Sequence, residues 1–122
     1  ILVFLSVRLV KSRSRIGTSW TNRTNSCYAL TAKMFGFKIL YLEAGSGASN
    51  QVDPKCIESA NQVEELCLIV GGGIRTGEQA AKAAQAGANW IVTGTLTEDA
   101  SSMDEIRQRI RIIVDSIQSS SS

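Results

Sequence analysis

The stretch YLEAGSGA, residues 41–48, ends an apolar run in a tyrosine and a glutamate two positions apart and passes at once into glycines. A carboxylate so placed can accept a hydrogen bond from an alcohol and take its proton as a general base. Tyr41 adds a phenol that can support by hydrogen bonding and packing. Glycines let a ligand approach the main chain closely. Two more glycine loops lie further along, Gly71 to Gly73 in VGGGIRT and Gly94 in VTGT. Helix N-termini after such loops offer unpaired N–H groups and about half an electron of positive charge, which suits a phosphate. The chemistry on offer is therefore a carboxylate and a phenol beside an anion cradle.

The elements that must position these groups emerge from local patterns. Tyr28, Ala29, Ala32 and Phe35 recur at helical spacing, and Gly36 supplies a stop. FKILYLE then has the near-continuous apolarity of a parallel strand covered on both faces. Alternation puts Phe37, Ile39, Tyr41 and Glu43 on one face of it. Asp53 and Pro54 open a helix with an apolar side at Ile57, Ala60 and Val63, and CLIV makes the second strand. Thr76 and Gln79 form a capping-box pattern for a helix through Ala80, Ala83 and Ala84 that Gly87 closes, and NWIVTG is the third strand. Ser102 and Glu105 repeat the capping pattern before a helix striped by Ile106, Ile110, Ile113 and Ile117, with Arg107 and Arg111 off the stripe.

Strand, glycine loop and helix, repeated three times, define a parallel α/β protein with its site beyond the carboxyl ends of the strands. No G-x-x-x-x-G-K-[ST] is present, which excludes a nucleoside triphosphatase loop, and GSGASN lacks the third glycine of the dinucleotide fingerprint. A (β/α)8 barrel builds its phosphate site from the loops after its last two strands, and here both of those strands end in glycine. The expected fold is the carboxyl-terminal part of a TIM barrel. A whole barrel takes about 250 residues, so 122 residues hold roughly half of one.

Composition bounds the remaining classes. At 43% hydrophobic and 20% charged the chain reads as soluble and globular, and the apolar run from Ile1 to Val10, interrupted by Arg8, is too short to span a bilayer. A cytoplasmic protein is expected. Cys27, Cys56 and Cys67 are odd in number, match no zinc spacing in a chain without histidine, and read as reduced and buried. No Asp or Glu precedes Glu43, whereas seven Lys and Arg residues do. Within that basic part, KSRSRIGTSWTNRTNS, residues 11–26, lacks apolar periodicity and reads as loop or disorder, as a solvated arm or as a segment foreign to the rest of the chain. Its single aromatic, Trp20, offers no stacking array, so no nucleic-acid partner is expected. The domain is accordingly placed at residues 27–118, after an irregular segment over 1–26 and before a linker-like serine tail over 119–122.

YLEAGSGA together with LIVGGGIRTGEQAAKAAQAGANWIVTGTLTED resembles the geranylgeranylglyceryl phosphate synthase family, over roughly Tyr28 to Ile117 and not over the first two dozen residues. The resemblance implies a prenyltransferase in which glycerol-1-phosphate attacks an allylic prenyl diphosphate, geranylgeranyl diphosphate in the first instance, with Mg2+ helping the diphosphate leave. It implies Glu43 as the base, Tyr41 as its support, and Gly45, Ser46, Gly72, Gly73, Gly94 and Thr95 as the holders of the glycerol phosphate. It further implies a homo-oligomer that touches a membrane only transiently, through its lipid product. Gly77 stands where relatives often have proline, and Thr95 where asparagine is frequent. The family's acidic magnesium ligand near the end of the first strand has no counterpart before Glu43, so no metal ligand is assigned in this chain. Two other readings stay open at this point: a different phosphate-binding barrel enzyme acting on a small phosphorylated metabolite, and an inactive fragment.

Overall fold

The computed structural model describes residues 4–8, 18–45 and 47–120, with the backbone alone for 4–8, 18–25, 95 and 97. Four strands, β1 (Phe4–Arg8), β2 (Ile39–Glu43), β3 (Cys67–Gly71) and β4 (Trp90–Val92), form one sheet in the order β1-β2-β3-β4. Every pairing is parallel, and the register sets Glu43 beside both Arg8 and Gly71, and Gly71 beside Val92. Helices α1 (Thr18–Met34), α2 (Pro54–Asn61) and α3 (Gly77–Gln85) fill the crossovers, and a short α4 (Thr95–Glu98) precedes α5 (Met103–Ser120). Strands in chain order with a helix in each crossover are the repeating unit of the expected barrel.

The core lies between one sheet face and the helices. Leu40 and Leu42 of β2 and Leu68 and Val70 of β3 are fully buried, against Ile57 and Ala60 of α2 and Ala80 and Ala83 of α3. Small residues on α3 let it lie close, and Gly77 goes further, since a Cβ there would meet Ser116 Cβ of α5 at 2.8 Å. The opposite sheet face, the future barrel interior, is open. Trp90 is 67% exposed and Val92 44%. Ile113 is buried and Ile117 packs on the core, whereas Ile110 borders an open groove beside edge strand β4, so the α5 stripe is only partly covered. Arg107 and Arg111 are exposed, as the stripe requires.

The expected caps form. Asp53 Oδ1 accepts from Lys55 N at 3.0 Å with Pro54 in the first turn of α2. Thr76 and Gln79 make a complete capping box on α3. At α5, Ser102 Oγ accepts from Glu105 N at 3.2 Å, but the Glu105 carboxylate reaches Ser101 N and Oγ instead of returning to Ser102, and it pairs with Arg109.

Three expectations are corrected. Of residues 1–26, read as irregular, 4–8 form strand β1 and 18–26 are helical, so the division at residue 26 falls inside α1. Serine, threonine and asparagine are weak helix formers, but turns added to an existing helix cost little, and tertiary anchors at buried Ala29 and Ala32 and at the Ser26 Oγ bond to Ser59 O hold α1 to its neighbours. Residues 11–17 lie outside the described part. The tail from residue 119 is helical through Ser120, with the Ser119 and Ser120 hydroxyls donating to Asp115 O and Ile117 O; residues 121–122 are not described. All three thiols are free, but only Cys56 is buried, Cys67 being half-buried and Cys27 exposed on the solvent side of α1.

The α5 cap makes a pH prediction. Hydrogen bonds from Ser101, side chain first and backbone next, with Arg109 adding to them, lower the Glu105 pKa to about 2. A folded pKa below the unfolded one stabilises above the unfolded value of 4.5 and is lost as pH falls through about 2. Glu105→Gln should therefore lower the unfolding midpoint at pH 7, and the gap to the parent should close on acidification through that window. A gap that stays constant down to pH 2 would contradict it.

Candidate functional site

The site is made by the ends of β2, β3 and β4. Alternation along β2 buries Leu40 and Leu42 against the helices and turns Tyr41 and Glu43 to the open face. Beyond the strand ends lies a cavity of about 150 Å³ lined by Tyr41, Glu43, Gly47, Gly72, Gly73, Ile74, Val92, Thr93 and Gly94. Five of the residues singled out from the sequence, Tyr41, Glu43, Gly72, Gly73 and Gly94, thus meet around one space.

Glycine is required in the loops for different reasons. Gly72 has φ +81°, and a Cβ on it would sit 2.7 Å from Gly45 O and 2.9 Å from Gly45 N. Gly45, itself at φ +106° and buried, therefore supports Gly72 from behind and does not line the cavity. Gly73 has φ +71°, and a Cβ there would lie 2.8 Å from Gln51 N, with the Asn50 carbonyl nearer still. Gly47, at φ +70°, has nothing within 4 Å of such an atom. At Gly94 a Cβ would meet only Glu98 Oε1 at 3.6 Å, ordinary contact, so packing within the protein does not demand glycine there. An open approach to the main chain is what that glycine leaves.

Two expected residues are not described at side-chain level. Ser46 lies outside the described residues. Thr95 begins α4, and its side chain lies outside the described part. Gly47 lines the cavity from within the first glycine loop, although no role was assigned to it, and Ile74, Val92 and Thr93 were missed. Thr93 Oγ1 donates to Ile74 O at 3.0 Å, clasping the end of β4 to the loop after β3. Val92 was legible in principle, because alternation puts it two residues from Trp90 on the open face of NWIVTG.

Burial first, and then the neighbouring Glu43 carboxylate, raise the Tyr41 pKa above its ordinary value of 10.0. The phenol therefore keeps its proton throughout the neutral range and serves as a donor. No group of three or more His, Cys, Asp or Glu that could hold a metal stands together among the described residues, and Glu43 is the one acidic residue lining the cavity. These residues do not by themselves fit a magnesium site.

Parallel strands in chain order, helices in the crossovers and a glycine-walled cavity at the carboxyl edge define the carboxyl-terminal part of a TIM barrel. The chain belongs to the PcrB family, whose sequence pattern matches residues 16–115. That match begins upstream of Tyr28, within the stretch over which the sequence showed no resemblance. The chain is 48% identical over 85 residues to the geranylgeranylglyceryl phosphate synthase of Thermococcus gammatolerans, covering 70% of this chain and 34% of that protein. It superposes on the (S)-3-O-geranylgeranylglyceryl phosphate synthase of Thermoplasma acidophilum, solved with its substrate sn-glycerol-1-phosphate, with a TM-score of 0.78 at 35% identity, over 93% of this chain and 49% of that one. The wild-type Thermoplasma volcanium enzyme of the same kind gives 0.76 at 35% identity, over 93% and 48%. The chain thus spans about a third of the curated relatives' length and about half of the solved chains.

The loop geometry makes a paired prediction. Gly47→Ala carries only the left-handed backbone penalty, about 1–2 kcal/mol. Gly73→Ala adds a collision with the Asn50–Gln51 main chain and should cost about 3 kcal/mol or more. Denaturant titration of both variants checks the order, and equal costs would contradict it.

Proposed function

We propose that a complete barrel carrying these residues is a prenyltransferase that forms the ether bond between sn-glycerol-1-phosphate and an allylic prenyl diphosphate, with geranylgeranyl diphosphate as the donor, in ether-lipid biosynthesis. One observation carries the reading: a single cavity joins the Glu43 carboxylate and Tyr41 phenol to the main chain of Gly72, Gly73 and Gly94. A polar pair beside a glycine-walled recess suits a small polyol that carries a phosphate. The relatives named for this activity, and the Thermoplasma acidophilum structure solved with that substrate, support it.

In this proposal the phosphate rests against Gly72, Gly73 and Gly94, with Ser46 and Thr95 as further donors and Gly45 as the support behind Gly72. That seating brings a glycerol hydroxyl to Glu43, which accepts its proton. The hydroxyl oxygen then bonds the allylic carbon, and the carbon–oxygen bond to diphosphate breaks, releasing the diphosphate. Tyr41, protonated, donates a hydrogen bond and walls the substrate in. Magnesium would supply charge neutralisation of the leaving diphosphate, and its ligands would come from residues outside this set. A cytoplasmic homo-oligomer that meets the membrane only through its product completes the proposal. Among the described residues no helix is long and apolar enough to cross a membrane.

Glu43→Gln keeps the shape and removes the base, so turnover should fall by about two orders of magnitude or more with little change in stability. Unchanged turnover would remove Glu43 from the chemistry. Competition binding of glycerol-1-phosphate against sugar phosphates tests the substrate class, with preference for the glycerol ester expected.

A further inference from the structure

We infer that Gly71, which does not line the cavity, is a positioning residue for Tyr41: the missing side chain at the end of β3 is the slot in which the phenol lies. Gly71 is buried, and its φ is not in the left-handed region, so its backbone conformation does not itself demand glycine. What excludes a side chain is space. A Cβ on Gly71 would lie 3.0 Å from both Cε2 and Cζ of Tyr41, with the phenol oxygen closer still.

Register explains the contact. Tyr41 pairs with Ile69, and Gly71 is two residues further along β3 on the same face. The ring therefore leans diagonally along the strand direction and crosses β3 at its last residue. That lean carries the phenol to the carboxyl edge and the cavity. Gly71 also pairs in register with Glu43 and Val92, so the slot sits in the row that contains the carboxylate. Any side chain at 71 would lift the ring off β3 and push the phenol into the space that a substrate would occupy. Gly71 thus differs from Gly72 and Gly73, whose positive φ and main-chain neighbours make them glycine for the loop's own sake.

The inference rests on the proposed function only for its effect on substrate, and the test separates the two. Gly71→Ala is made in the parent and in the Tyr41→Phe background of the complete barrel, where the nearest clashing atom is gone. Glycerol-1-phosphate affinity should drop about tenfold or more in the parent background and less than about threefold in the Tyr41→Phe background. The Tyr41 ring resonances, assigned by their loss in Tyr41→Phe, should move on Gly71→Ala, a readout that needs no activity. If the chain is not a transferase, affinity fails for all variants while the ring shift and the rescue of folding by Tyr41→Phe persist. Equal loss in both backgrounds, of binding or of fold, or an unmoved Tyr41 ring, would overturn the inference.

Discussion

Three successive residues at the end of β3 have no room for a β-carbon, and the site depends on that. Gly71 admits the Tyr41 ring, Gly72 admits the Gly45 main chain, and Gly73 admits the Asn50–Gln51 main chain. Each contact ties β3 to β2 or to the loop after it. The backbone bond from Ala44 N to Gly71 O, at 3.0 Å, extends the pairing just past the strand end. Filling any of the three positions would separate the loops whose approach makes the cavity.

The sheet supplies the other half of the constraint. Because β2 and β3 are covered by helices on one face, Leu40, Leu42, Leu68 and Val70 are fully buried while Tyr41 and Glu43 on the other face are half-buried, and a one-residue slip would bury Glu43 in apolar surroundings. Leu40, Leu42, Leu68 and Val70 therefore fix which way Tyr41 and Glu43 point. Thr93 then holds β4 to the β3 loop through Ile74 O, so that the third glycine loop closes the recess. Stability and site geometry come from the same residues.

Much of this was legible in the sequence. Glycine at strand ends, apolar alternation and the Thr76–Gln79 box are local signals, and β2, β3 and β4, the caps and five of the cavity's residues could be read from them. What was illegible is non-local. Helix α1 begins in a polar, serine- and asparagine-rich stretch because packing at Ala29 and Ala32 outweighs weak propensity. Strand β1 takes its place only by register with β2. Thr93 lines the cavity because of where the Ile74 carbonyl falls, and Gly45 withdraws behind Gly72, neither of which any spacing encodes. The open face at Trp90 and Val92 reflects a chain that spans about half of the solved barrels it resembles.

The most direct measurement is an amide-resolved NMR titration of the complete barrel with sn-glycerol-1-phosphate. A phosphate seated at the carboxyl edge predicts saturable shifts of the Gly72, Gly73 and Gly94 amides that share one dissociation constant, with Gly36 and Gly87 at the far ends of their helices unmoved. Absence of shifts at those three glycines, or saturable shifts confined to residues away from the cavity, would contradict a phosphate site there.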